Sequence, residues 1–249
     1  MIESTSILFL SMLFVVAFLY SSVGHGGASG YLALMALFGI APASMKSSAL
    51  IMNIFVSFTA FYAYYKSGYF KWKLFLPFAI ASIPASFIVA YLTVDALLYK
   101  RILGLILIFP ILRLAGLLGK EPIVEKEINR YAAFAIGAAI GLLSGMIGIG
   151  GGIILSPVIL LLHWGKMKET ACVSALFIFV NSISGLIGLL SKGVTIDPSV
   201  YIWVGIALAG GFAGAYFGSK KFSNPFLKKI LAFVLVIASI KLLTVSEHK

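Results

Sequence analysis

Acid is what this chain has least of: 8 Asp and Glu stand against 19 Lys and Arg, and charged residues of either sign make up 11% of its 249 residues. A soluble domain carries about 25% charged residues, so there is too little polar surface here to cover a water-soluble globule. One cysteine, Cys172, excludes an internal disulfide. It lies in an apolar run and is expected to pack there. His25, His163 and Cys172 show no ligand-like or nucleophile–base spacing, so no metal, cofactor or catalytic residue is expected and an enzyme is disfavoured. The N-terminus lacks a basic n-region and a clear cleavage site, which predicts a retained first span.

What is present is apolar sequence, 61% of the chain. Uncharged runs cover 4–45, 47–65, 74–94, 131–165, 170–191 and 198–219, each long enough to cross about 30 Å of hydrocarbon. The chain reads as an all-α polytopic membrane protein. The net charge of +11 then reflects Lys and Arg in cytoplasmic loops rather than a nucleic-acid partner.

Two glycine clusters interrupt these runs: Gly24-His25-Gly26-Gly27-Ala28-Ser29 and Gly148-Ile149-Gly150-Gly151-Gly152. An apolar helix over 4–23 precedes the first, and a short segment over 29–40 follows it. Residues 41–46, containing Pro42, read as a break. Segments 47–65, 74–92 and 102–118 read as full spans. A polar stretch, 119–130, follows, and the order repeats: 131–147 into the second cluster, 153–164, a break at 166–169, then spans over 170–190, 200–218 and 227–243. Gly24, Gly26 and Gly27 align with Gly148, Gly150 and Gly151, and Ser57, Phe87 and Tyr91 with Ser182, Phe212 and Tyr216. The expectation is two repeats, 1–118 and 131–249, joined by a linker at 119–130. Each repeat is a glycine-tipped broken-helix hairpin followed by three transmembrane helices.

Charge orients the repeats. With each hairpin entering and leaving on one side, Lys66, Lys71, Lys73, Arg113, Lys120, Lys126, Arg130, Lys166, Lys168, Lys220, Lys221, Lys228 and Lys229 share a face. Lys46, Lys100, Arg101, Lys192, Lys241 and Lys249 lie opposite. The positive-inside rule favours this uneven split. It predicts inverted repeats with both termini outside and the linker cytoplasmic, whether both hairpin arms cross fully or neither does; were the first helix alone to cross and the short segment re-enter, the 19 basic residues would divide 9 to 10.

A glycine break ahead of a new helix start exposes unpaired N–H groups, the positive end of the helix dipole. Such a start binds anions, and two of them near the midplane is the arrangement of a secondary transporter. All eight carboxylates, Glu3, Asp95, Glu121, Glu125, Glu127, Glu169, Asp197 and Glu247, fall in predicted loops, linker or ends, which argues against a cation substrate. The candidate substrate-binding residues are Gly24, His25, Gly26, Gly27, Ser29, Asn53, Ser57, Gly148, Gly150, Gly151, Gly152, Asn181 and Ser182. His25 reads either as a donor or proton carrier, with protons as coupling ion, or as a neutral ring that holds the loop. Asn53, Ser57, Asn181 and Ser182 read either as substrate contacts or as interhelical hydrogen bonds. Lys46 and His163 sit near helix ends, where snorkelling is expected, although Lys46 also offers an anion a charge. Gly210, Gly211, Gly214 and Gly218 read as helix packing.

The Gly148-Ile149-Gly150-Gly151-Gly152 cluster followed by Pro157, the Asn181-Ser182-Ile183-Ser184-Gly185 stretch and the paired halves resemble the TauE/SafE sulfite exporter family, also called the toluene-sulfonate uptake permease family. The first half departs from that pattern, with Gly24-His25-Gly26-Gly27-Ala28 and Ala33 where Pro157 maps, and resembles a histidine-bearing subgroup. The resemblance implies transport of sulfite, sulfonates or related organosulfur anions across a prokaryotic cell membrane by a multi-pass protein. The partners implied are a small anion and the lipid bilayer, and a homodimer is allowed. An anion channel and a non-transporting structural or assembly protein are the alternatives.

Overall fold

The computed structural model describes residues 6–92, 95–117, 124–220 and 225–244. The described residues form eleven α-helices: α1 (Ile7–Ser21), α2 (Ala28–Leu37), α3 (Pro42–Lys66), α4 (Trp72–Tyr91), α5 (Ala96–Ile106), α6 (Ile108–Leu114), α7 (Arg130–Ile147), α8 (Gly152–Leu161), α9 (Met167–Ser191), α10 (Val200–Lys220) and α11 (Pro225–Thr244). Five of them, from α3, α4, α7, α9 and α10, are long and apolar enough to cross a membrane among the described residues. Large apolar side chains such as Ile80, Phe134, Ile187, Ile202 and Phe212 are exposed along them, as a lipid-facing surface requires. The protein is a polytopic α-helical membrane protein.

Helix starts follow local chemistry. The side chains of Ser6, Asp95 and Asn129 accept from first-turn N–H groups of α1, α5 and α7. At α9 the Glu169 carboxylate reaches back to the Lys166 N–H at 3.0 Å. Pro42 is not the break that its residue type suggests. It sits at the first position of α3, where its missing N–H costs nothing, so Lys46 lies inside the helix rather than in a loop. Likewise α9 begins at Met167, so most of the expected break at 166–169 is helix.

A larger departure is the expected span over 102–118. It is two short helices, α5 and α6, meeting at Leu107. Pro110 has no N–H for the Ile106 carbonyl and its ring crowds that group, so a kink falls where α5 ends. The corresponding segment of the second half, α11, is one helix. Residue 118 of that expected span and residues 119–123 of the expected linker lie outside the described residues.

Helix packing runs in a row: α1 against α10, α10 against α3, α3 against α9, α9 against α4 and α4 against α7. Replacing each helix by its counterpart in the other half returns the same row. Its outer contacts are built from glycine. Gly137, Gly141 and Gly145 of α7 press on the carbonyls of Phe78, Ser82 and Ser86 of α4, and Gly210, Gly214 and Gly218 of α10 on those of Phe14 and Phe18 of α1 and of Ser22, which caps it. With no water to drive helices together inside a bilayer, such backbone-to-backbone approach supplies the packing energy. Both ladders join a helix of one half to a helix of the other.

Candidate anion site at the paired glycine breaks

The 25-residue helices α3 and α9 lie antiparallel at the centre. Lys168 near the start of α9 bonds Tyr69 just beyond the end of α3, 3.2 Å away, and Lys192 at the end of α9 lies within electrostatic reach of Lys46. At 1.5 Å per residue each is about 37 Å long, so their middles, near Asn53 and Ile178, mark the mid-depth of the molecule.

Each hairpin folds back toward this point. The arms of the first open beside the start of α3, where the Phe9 and Phe38 rings lie 5.1 Å apart. Those of the second open at the other end, where the His163 carbonyl accepts from the Lys126 N–H at 2.7 Å. Gly24 packs on Ala171 of α9, whose carbonyl would lie 2.7 Å from an added Cβ. Gly148 packs on Lys46 of α3, whose Cγ would lie at 2.9 Å. Deeper in, Gly26 and Gly150 both press on the same two side chains, Asn53 and Ile178. Positive φ at Gly24 (77°), Gly27 (99°), Gly148 (88°), Gly150 (71°) and Gly151 (75°) lets each chain reverse within four residues, a conformation that costs an L side chain about 1–2 kcal/mol.

Asn53 ties the two breaks together. Its Oδ1 accepts from the Ala28 N–H at 3.0 Å, and its Nδ2 donates to the Ile149 carbonyl at 3.2 Å and to Ser182 Oγ at 3.4 Å. Glycine caps α2 and α8 without a side-chain bond. Beyond Ala28, the N–H groups of Ser29 and Gly30 at α2, and of Gly152 and Ile153 at α8, meet no acceptor among the described residues. These four residues are buried. Buried unpaired N–H groups are rare in proteins, and two sets aimed inward from two helix starts make a positive, donor-rich centre.

The other predicted residues divide. Ser57, one turn beyond Asn53, is buried and its hydroxyl has no partner among the described residues. The Ser29 hydroxyl instead donates to Tyr20 Oη at 2.8 Å, back toward α1. Asn181 faces α4, donating to Ser82 Oγ at 3.0 Å and to the Phe177 carbonyl at 2.9 Å. It is not gathered with the breaks. His25 is 1% exposed. Its Nδ1 lies 2.9 Å from the Val23 carbonyl and its Nε2 3.0 Å from Ser156 Oγ of α8, which also meets Ser174 Oγ of α9 at 2.7 Å and the Gly152 carbonyl at 3.0 Å. A carbonyl only accepts, so Nδ1 carries hydrogen. A neutral ring receives the Ser156 hydroxyl proton at Nε2. A charged ring donates there instead, and the hydroxyl turns to the Gly152 carbonyl. Both protonation states are accommodated by rotating one hydroxyl.

Ser156 and Ser144 are not among the sequence candidates. Ser144 is buried with an unpartnered hydroxyl, and its carbonyl accepts the Gly148 N–H at 2.7 Å. The hint in the chain is that Ser144 and Ser156 each lie about one helical turn from the second glycine cluster. Cys172 is buried beside Tyr64 and Ala171, as packing. A crevice of about 660 Å³ between α4 and α9, lined by Ile83, Pro84, Phe87 and Ile187 among others, is apolar and includes none of the break residues.

One cluster of charge lies at the end where the second hairpin opens. Lys71 meets Glu125 at 2.8 Å and Glu169 at 2.7 Å, and Lys166 lies 3.7 Å from Glu125. Hydrogen bonding by Lys71 holds the Glu125 carboxyl below its ordinary range. Burial works against the Lys71 charge, but its bonds to Glu125 and Glu169 outweigh that and raise its pKa.

Comparison with known proteins agrees with this architecture. The family model for the sulfite exporter TauE/SafE matches residues 8–242. A probable membrane transporter protein, y4hK, of Sinorhizobium fredii is 37% identical over 234 residues, covering 92% of this chain and 95% of that protein. The probable membrane transporter protein YdhB of Bacillus subtilis is 26% identical over 90% of this chain and 93% of its own length. MJ0441 of Methanocaldococcus jannaschii, another probable membrane transporter protein, is 27% identical over 76% of each. No solved structure matches the chain. With nearly its whole length matched, the chain belongs to the sulfite exporter TauE/SafE family.

Proposed function

We propose that the protein is a secondary transporter that carries a small anion, of the sulfite, sulfonate or related organosulfur kind, across a prokaryotic cell membrane. The observation that carries this reading is the pair of uncapped helix starts at mid-depth, with four buried N–H groups lacking an acceptor among the described residues. An anion would satisfy them, and no cation would. The described carboxylates support it too: Glu125 and Glu169 pair with Lys71 at one end, Asp95 caps α5, Asp197 accepts from the Ser199 N–H ahead of α10, and Glu127 is exposed.

In this reading the halves, 1–118 and 131–249, are inverted repeats, and the linker between them is cytoplasmic. Alternating access comes from movement of the hairpins against α3 and α9. The substrate contacts are the break glycines, Asn53, Ser57 and Ser182, with the anion accepting from the free N–H groups. His25 exchanges a proton through Ser156, which couples transport to the proton gradient. Membership of a transporter family and relatives named as probable membrane transporters support transport over an enzymatic or purely structural role.

The test is flux into proteoliposomes of labelled sulfite, methanesulfonate and thiosulfate, with and without a pH gradient. Saturable uptake of at least one is expected. No uptake of any of them would defeat the reading, and uptake that does not saturate would favour a channel.

A further inference from the structure

We propose that Lys46 is a substrate-contacting residue, whose ammonium pairs with the negative charge of the anion at the second glycine break. The inference rests on the anion-transport reading above and adds to it the residue that supplies the fixed charge.

Lys46 lies one turn inside α3 and is only 9% exposed, so it does not snorkel freely at the surface. Its ammonium has no hydrogen-bond acceptor and no carboxylate partner among the described residues. The charge within reach is that of Lys192, which repels it. A buried ammonium without a counter-charge is costly in a membrane protein, and such residues are kept where they meet substrate.

Its position fits that role. The Lys46 stem and backbone form the surface on which Gly148 rests, so the side chain lies along the break that opens α8. A further buried donor without a partner among the described residues, the hydroxyl of Ser144, belongs to the same break, where the Ser144 carbonyl holds the Gly148 N–H. An ammonium, free N–H groups and an unpaired hydroxyl are all donors, and together they suit an oxyanion that presents several acceptor oxygens. The partner of the first break at the equivalent place is Ala171, packed on Gly24. The fixed charge is therefore on one side only.

The experiment measures initial rates against anion concentration in proteoliposomes for wild type, K46R, K46Q and K192Q, using sulfite, methanesulfonate and thiosulfate. In K46Q the KM should rise about tenfold or more, as loss of a desolvated charge contact implies, with a smaller change in kcat. K46R should lie between K46Q and wild type, and K192Q should stay within about twofold, since its charge is exposed. A K46Q protein with the wild-type KM overturns the inference while leaving the transport reading intact. A wild type that carries none of the three anions overturns both. Should K46Q fail to assemble, amine acylation of wild type read by peptide mass spectrometry decides. The carried anion should slow labelling of Lys46 and not of Lys192, and equal labelling with and without it overturns the inference.

Discussion

The two glycine breaks use one backbone device and distribute charge differently. The first carries His25 in the loop and leans on Ala171, while the second has no ionisable residue of its own and leans on Lys46. Both reach Asn53 and Ile178. What is shared is therefore geometric: positive φ and close approach, which only glycine provides. What differs is the ionisable group each break meets, an imidazole on one side and an ammonium on the other. In the transport reading proposed above, this asymmetry would present a different charge to each face of the membrane.

The strongest way to break the comparison is at the shared geometry. Gly24→Ala would drive Cβ into the Ala171 backbone, and Gly150→Ala would set it 2.7 Å from Ile178 Cγ2 and 2.9 Å from Asn53 Nδ2, each at positive φ. Strain and overpacking together should cost about 3 kcal/mol or more. Both variants should lose monodisperse protein on size exclusion. Gly205→Ala, with nothing within 4 Å, should match wild type, and equal yields for all three would show that the breaks are not close-packed.

Next comes Asn53, the residue common to both breaks. Asn53→Asp removes the donor to the Ile149 carbonyl and adds negative charge among the free N–H groups. Transport should fall by at least about a hundredfold, because a buried partner is lost at about 1–3 kcal/mol and the added charge repels an anion. Asn181→Asp, facing Ser82 rather than the breaks, should lose less. Flux assays of the two rank them, and the reverse order would move the site toward α4.

A milder change sharpens the difference between the breaks. His25→Gln keeps a polar group near Ser156 but cannot titrate. Uptake should persist while its dependence on a pH gradient disappears. Proton-coupled uptake that survives in this variant would make His25 a structural tether, symmetrical in role with the second break.

The smallest effect is expected away from both breaks, at Lys71, Glu125 and Glu169. The Glu125 pKa is lowered in the folded protein by its bond to Lys71. Its stabilisation is complete above the ordinary glutamate pKa and is lost as pH falls through the depressed folded value. Being half-exposed, the pair contributes under about 1 kcal/mol. Melting curves from pH 7 downward should show wild type and Glu125→Gln converging as acid removes the wild-type advantage.

Much of this architecture was legible because glycine and missing charge are conspicuous in an apolar chain. The glycine clusters mark the hairpin tips, and the uncharged runs mark α3, α4, α9 and α10. Gly210, Gly211, Gly214 and Gly218, read as packing residues, do face close neighbours on α1 and α3. The kink at Leu107 was hidden because proline in a membrane helix is often absorbed, as Pro77 and Pro84 are within α4, and the residue type alone does not distinguish Pro110. The pairing of His25 with Ser156 was hidden for another reason: it joins residues of different halves, and no local spacing records it. Asn53 and Asn181 look alike in sequence, and only the turn of each helix decides which one meets the breaks.

The contacts of Gly24 and Gly148 also bear on how the chain is made. Each tip rests on a helix that the other half supplies, Ala171 for Gly24 and Lys46 for Gly148. When synthesis has delivered only the first half, its tip has no floor, and the α1 face that will receive Gly210, Gly214 and Gly218 is bare. That half enters the bilayer as an unfinished object and becomes rigid only when α9 and α10 arrive. Insertion and folding of this protein are therefore separate events, and the earlier helices must wait in lipid for the later ones.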